Sequence, residues 1–343
     1  MLVDITDEII LNILISYLDT IDFSNLLRIS KYFNNSYKSH IVYYTNQNTN
    51  IINTNVNILH TLKFDHNRIN ISYDVINILS LKYIHNLDFS GCVYVKDVSC
   101  LLNIKIINCN LSKCHTLKDL YGLNDDIINL NLYDCRNLLS ISTLYDLKNL
   151  VNLNLNSCYK ITDLSPLSNL KNLVNLNLSG CYKITDLHEL SNLENLVNLN
   201  IHFCQQVTDL SPLSNLKNLV KLNLRGCYKI KNLSALSNLT NINTLDISDC
   251  YRIREISALS NLKHLVNLNL SDCHQINDLS TLSNFTNLVT LNLNGCYHIK
   301  TDLSKVPNLN NLINLDIRGC AISRRYFSLE SFPNLTNLVN LKR

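Results

Sequence analysis

Leu173-Val174-Asn175-Leu176-Asn177-Leu178-Ser179-Gly180-Cys181-Tyr182-Lys183-Ile184-Thr185-Asp186 decides how this chain folds, because nearly the same text returns around one cysteine after another. The series runs Cys92, Cys114, Cys135, Cys158, Cys181, Cys204, Cys227, Cys250, Cys273, Cys296 and Cys320, in steps of 22 and 21, then seven of 23, then 24. A period in the twenties marks a solenoid, in which each unit buries its apolar face only against its neighbours. Solenoids present long curved surfaces and few clefts. The sequence therefore points to binding before chemistry.

Within a unit the L-x-L stretch alternates with period two, which is strand periodicity. Leu176 and Leu178 are expected to point inward, and Asn175, Asn177 and Ser179 outward on the concave side. Stacking the units pairs these strands into a parallel sheet at about 4.8 Å per strand. The cysteine sits where the chain leaves the strand, and a small, weakly polar thiol there can touch turn backbone and still pack as a hydrophobe. The second half, such as Asp163-Leu164-Ser165-Pro166-Leu167-Ser168-Asn169-Leu170, carries leucines every three residues, a spacing that suits a 3₁₀ turn or extended segment better than an α-helix. Leu170 and Leu173 are placed to close the core.

The full unit, L-x-x-L-x-L-x-x-C-Y-x-I-T-D-L-x-x-L-x-N-L-x-N, resembles the leucine-rich repeat. Cys-Tyr-Lys-Ile-Thr-Asp at 158–163 and 181–186 is similar to the cysteine-containing repeats of F-box proteins, of the kind found in AT-rich genomes including giant DNA viruses. Leu-Ser-Pro-Leu-Ser-Asn-Leu-Lys-Asn-Leu at 164–173 and 210–219 looks more like the shorter repeats of internalin-type proteins. The fold class expected is an α/β solenoid: an arc with a parallel concave sheet and short 3₁₀ or extended convex segments over residues 58–343, about 12 units. In the earliest unit Asn67 holds the cysteine position.

Residues 1–42 have a different texture. Ile9, Ile10, Ile13, Leu14, Tyr17 and Leu18 form one face of an amphipathic helix, with Thr6 as cap and Asp7 and Glu8 at the positive end of its dipole. A second helix is expected after Asp22, with Phe23, Leu26, Leu27 and Phe33 on one side. Two short helices cannot build an adequate core alone, which fits a docking module. The text from Ile5 to Asp19 resembles the F-box pattern L-P-x-E-I-L-x-x-I-L-S-Y-L-D, and Ile29-Ser30-Lys31-Tyr32-Phe33 continues the likeness. It departs at Thr6, in place of the usual proline, and by one extra residue before Leu18. The resemblance implies that Ile5, Glu8, Ile9, Ile13, Leu14, Leu18, Leu26 and Leu27 dock a Skp1-like adaptor and, through it, a cullin ligase. The other reading of the helices is a cap on the first repeat. Residues 43–57 form a junction or a partly ordered first unit.

Composition narrows the function further. A net charge of +3 over 343 residues is too small to argue for nucleic acid or an anionic membrane, and no apolar run approaches the roughly 20 residues that span a bilayer. Thirteen cysteines without a signal-peptide pattern after Met1 read as reduced thiols of an intracellular protein, not as a disulfide framework. The Asn and Ile excess has the look of AT-rich coding bias. No phosphate-binding loop, dinucleotide fingerprint, nucleophile elbow, H-E-x-x-H or C-x-x-C is present, so neither catalytic residues nor metal ligands nor cofactors are expected.

On a concave face of Asn and Ser, the departures carry the information. His202 and Phe203, then Lys221 and Arg225, then Asp246 and Asp249 fall on successive units and form the candidate surface for a target protein. Drift at solvated positions is the competing account. The residue after the cysteine is tyrosine at 159, 182, 228, 251 and 297, often followed by a cation (Lys160, Lys183, Lys229, Arg252); its regularity favours a structural role. The chain is read as a non-catalytic adaptor, the target-binding subunit of a Skp1–cullin–F-box ubiquitin ligase, or as a stand-alone scaffold or inhibitor whose helices only cap the repeats.

Overall fold

The computed structural model describes residues 42–45, 58–64, 83–93, 95–322, 332 and 334–343. Among the described residues, fourteen strands form one parallel sheet in strict chain order. β1 (Val42–Thr45), β2 (Ile58–Phe64), β3 (Tyr83–Asp88) and β4 (Lys105–Asn110) lead. Ten three-residue strands follow: β5 (Asn129–Asn131), β6 (Asn152–Asn154), β7 (Asn175–Asn177), β8 (Asn198–Asn200), β9 (Lys221–Asn223), β10 (Thr244–Asp246), β11 (Asn267–Asn269), β12 (Thr290–Asn292), β13 (Asn314–Asp316) and β14 (Asn340–Lys342). The sheet starts at Val42, pairing Val42 with Thr61. A strand therefore occupies the front of the stretch expected as a junction or partly ordered first unit. Apart from Val42, the helical segment expected over residues 1–42, and with it all eight adaptor-binding residues, lies outside the described residues, as does Asn67.

One unit explains the rest. In residues 175–197 the strand buries Leu176 and Leu178 at period two; thereafter Cys181, Ile184, Leu187, Leu190, Leu193 and Leu196 are buried at period three, each no more than 2% exposed. A three-residue spacing keeps one face inward only if the backbone turns about once per three residues, as 3₁₀ geometry does. The main chain makes that turn explicit. Leu190 N–H donates to the carbonyl of Leu187, Leu193 to Leu190 and Leu196 to Leu193, at 2.9–3.0 Å. The convex side is accordingly a series of 3₁₀ turns, such as Ser165–Asn169, His188–Asn192 and Ser211–Asn215. Asp163 starts the first by accepting from the N–H of Ser165 at 2.8 Å and its hydroxyl at 2.9 Å. Each fully buried leucine contributes about 2 kcal/mol of burial, and the leucines of successive units form one continuous core.

At the end of each strand the chain must turn sharply inward, and the residue before the cysteine takes a left-handed conformation. All eleven such residues have positive φ, from Gly91 (73°) through Lys113, Asp134, Ser157, Gly180 (71°), Phe203 (59°) and Gly226 (67°) to Gly319. The turn folds over the residue ahead of it, so Ser179 is buried at 8% exposure and does not face solvent as the strand alternation implied. Each thiol then points back one unit: Cys181 Sγ donates to the carbonyl of Leu155 at 3.2 Å, and Cys204 Sγ to that of Leu178 at 3.2 Å. The ladder cysteines are buried thiols. Removal from water pushes the Cys181 thiol up to about 12.

Candidate functional site

Two rows of asparagine run across the concave face. In the first, Asn108 Nδ2 donates to Asn86 Oδ1 at 2.6 Å, and the chain of amides continues through Asn129, Asn152, Asn175 and Asn198, each donating to the one before. In the second row the side-chain oxygen accepts from the main chain two residues on, as Asn177 does from Ser179 (3.0 Å), Asn200 from His202 (3.0 Å) and Asn223 from Arg225 (2.9 Å). A third set lies on the convex side, where Asn172, Asn195 and Asn218 each donate to a carbonyl of the preceding unit at 2.9–3.0 Å. Much of the asparagine excess is thus structural: it joins backbone and side-chain groups between units that burial would otherwise leave unpaired.

The unbroken run of the first row ends in the middle of the sheet, and beyond it Thr244 and Thr290 take the same position on β10 and β12. Lys221 of β9 stands where an Asn would donate the next link, and the amide oxygen of Asn198 is left buried with no partner. Lys221 itself is exposed. A second unpaired buried atom, His202 Nε2, lies in the same unit. Burial and the Arg225 charge lower the His202 pKa, so the ring is neutral near pH 7. Beside it Phe203 occupies the left-handed turn position, its ring centroid 4.1 Å from that of His202. A bulky residue at positive φ is an outlier costing about 1–2 kcal/mol. The next unit makes room for the ring: a Cβ on Gly226 would fall 2.1 Å from Phe203 Cδ1.

Charges close the site. Arg225 Nε bonds Asp249 Oδ2 at 3.0 Å, and Asp249 Oδ1 accepts from the Tyr251 hydroxyl at 3.3 Å. Asp246 is committed to the sheet, accepting from Ser248 N–H at 2.9 Å and from Asn269 Nδ2 at 3.1 Å. Along the rim the rings after each cysteine stack, Tyr159 on Tyr182 at 4.9 Å, Tyr228 on Tyr251 at 5.2 Å, Tyr251 on His274 at 5.2 Å and His274 on Tyr297 at 4.3 Å. Phe203 fills the place that Gln205 leaves vacant in this column, 6.2 Å from Tyr228. A shallow trough of about 950 Å³ follows the concave face from Asn86 to Asp246.

A two-copy leucine-rich-repeat family model matches residues 148–192, and the model described as Zer-1-like leucine-rich repeats matches residues 256–342. Both stretches of the chain are leucine-rich repeats. Among solved structures, the internalin inlF of Listeria monocytogenes is 22% identical over 83% of this chain and 87% of that one, with a TM-score of 0.55, which shows a shared fold. The internalin inlC2 from the same organism is 29% identical over 58% of this chain and 73% of its own, at a TM-score of 0.37. A leucine-rich-repeat protein of Leptospira interrogans is 18% identical over 83% and 90%, at 0.44. No curated protein matches the chain.

The leucine-rich-repeat arc places His202, Phe203, Lys221, Arg225, Asp246 and Asp249 on three adjacent units. Arg225 and Asp249 meet, the His202 and Phe203 rings touch at a tilt of 38°, and Asp246 is taken up by the sheet. Phe203 is half-buried at the rim and not on the open face. Sequence reasoning did not find the conformational outlier at Phe203 or the interrupted amide row at Lys221. Both were signalled in the text: most units place Gly, Asp or Ser before the cysteine, and Asn stands at the Lys221 position on the six strands before it. Among the described residues no group of three or more His, Cys, Asp or Glu could hold a metal ion, and no helix is long and apolar enough to cross a membrane.

Proposed function

We propose that this leucine-rich-repeat protein is a non-catalytic, intracellular adaptor whose concave face and rim around β8–β10 hold a target protein, while residues 1–42 dock a Skp1-like adaptor of a cullin ubiquitin ligase. The observation that carries the target-binding part is the concentration of costs within residues 198–203 of one unit: a strained aromatic and two of the three unpaired buried side-chain atoms found among the described residues, the third being Asn334 Oδ1. Strain and unmet hydrogen bonds persist where function maintains them. The ligase part is supported by the resemblance of Ile5–Phe33 to the F-box and by its position ahead of the repeats. Ubiquitin transfer itself belongs to partner subunits in this reading.

A pull-down of purified Skp1-like adaptor by the full chain, beside the double variant Ile9→Asp and Leu14→Asp, tests the ligase part. Capture by the parent chain and loss in the variant is expected, because two carboxylates on one apolar helix face destroy its docking surface. Absence of capture by the parent chain sinks it. One observation favours the second reading, a stand-alone scaffold or inhibitor with an N-terminal cap: β1 begins at Val42, immediately after the segment in question, and its outer edge is where a cap belongs. Deleting residues 1–41 decides between them, since a cap lowers the unfolding midpoint of the repeats when removed and a docking module does not.

A further inference from the structure

We infer that the unit spanning residues 221–243 binds an acidic, extended segment of the partner protein, with carboxylates on either side of one apolar side chain. This rests on the target-binding reading above and specifies its chemistry. The unit carries Lys221, Arg225, Lys229 and Lys231 and no Asp or Glu. Its neighbours are neutral: residues 198–220 balance Lys217 against Asp209, and residues 244–266 balance Arg252, Arg254 and Lys263 against Asp246, Asp249 and Glu255. The other 23-residue units from 129 to 289 range from −2 to +1. One unit in the array is therefore strongly positive, and all four of its cations are exposed.

Their order along the chain takes the charge around the rim. Lys221 stands on β9 facing the trough, Arg225 at the strand end, and Lys229 and Lys231 on the lateral side after Cys227. Only Arg225 has a carboxylate partner, Asp249; Lys229 Nζ donates to the neutral Gln206 Oε1, and among the described residues Lys221 and Lys231 have none. Phe203 lies beside this track, its ring over Gly226 and tilted at 51° to Tyr228, an apolar contact between cationic ones. Charges of one sign on a bounded patch select an oppositely charged partner and speed its encounter. A nucleic-acid strand fits less well. Base stacking needs open ring faces, whereas Tyr228 and Tyr251 cover each other at an interplanar angle of 3°. Phosphate tracking also needs a basic stripe over several units, and here the flanking units are neutral.

The test is fluorescence anisotropy on the full chain with a short fluorescein-labelled peptide rich in Glu around one central Phe. Its Gln counterpart and a short single-stranded DNA serve as comparison probes. The triple variant Lys221→Glu, Lys229→Glu and Lys231→Glu and the single variant Phe203→Gly are measured alongside, with thermal unfolding to show that the arc is intact. Saturable binding of the Glu peptide that weakens with salt, is lost with the Gln peptide and falls about tenfold or more in the triple variant is expected. Equal binding of Glu and Gln peptides, unchanged binding by the folded triple variant, tighter binding of the DNA, or no saturable binding overturns the inference. The outcome is separable from the ligase reading: adaptor captured without peptide binding removes this site alone, and peptide bound without adaptor capture leaves the site and removes the ligase.

Discussion

Phe203 shows how much can be read from one backbone angle. At φ 59° its side chain stands where Gly stands in the units before and after it, Gly180 and Gly226. Replacing Phe203 by Gly relieves about 1–2 kcal/mol of left-handed strain and gives up part of a half-buried ring; a net gain of about 1 kcal/mol in unfolding free energy is expected by denaturant titration. Gly226→Ala in the parent chain adds both a left-handed Cβ and a clash with the Phe203 ring at 2.1 Å. In the Phe203→Gly background only the first cost remains. The two substitutions should therefore couple by about 1 kcal/mol in a double-mutant cycle, and strict additivity would mean that the ring does not rest on Gly226.

At the scale of the strand, the amide row makes Lys221 the informative residue. Lys221→Asn supplies a side chain that donates to the orphaned Asn198 oxygen, so the variant is expected to be more stable by about 1 kcal/mol while losing affinity for an acidic partner. A lower unfolding midpoint for this variant would show that Lys221 holds the sheet together in some other way. Strands, 3₁₀ turns and the inward rows were legible because buried residues recur at two and then three positions, and solvent cannot be excluded from such a stripe in any other conformation. Cysteine at the turn was legible as a small hydrophobe with a weak donor. What stayed hidden depends on relations between units. That Asn172 reaches the Lys148 carbonyl, or that Asn198 has no successor, appears only when rows are aligned by the sheet register. Burial of Ser179 was missed because alternation was carried two residues past the strand, up to the point where Gly180 turns the chain.

For the whole molecule, stability accrues between neighbours, so a cost repeated in every unit is multiplied. The thiol row is such a cost at high pH. An unfolded cysteine loses its proton near pH 8.5–9, whereas burial pushes Cys135, Cys181, Cys250 and Cys296 up to about 12 in the fold. The folded state thus retains protons that the unfolded state has released. Stability is full below about pH 9 and falls as pH rises toward 12, by about 1.4 kcal/mol per pH unit for each such thiol. Thermal unfolding followed by circular dichroism should show a midpoint that is level through neutral pH and drops steeply above about pH 9; a level midpoint at pH 10 would mean that the thiols ionise in place. The direction of the inter-unit bonds has a different consequence. In the thiol and asparagine ladders the donor belongs to the later unit and the acceptor to the earlier one, as with Cys181 to Leu155 and Asn195 to Lys171. Every unit therefore carries a plug on one side and a matching socket on the other. A duplicated stretch of 23 residues inserted at a unit boundary brings both, and asks for no compensating change on either side. An array of this kind can lengthen in single genetic events and carry its one strongly positive unit to a new place along the arc.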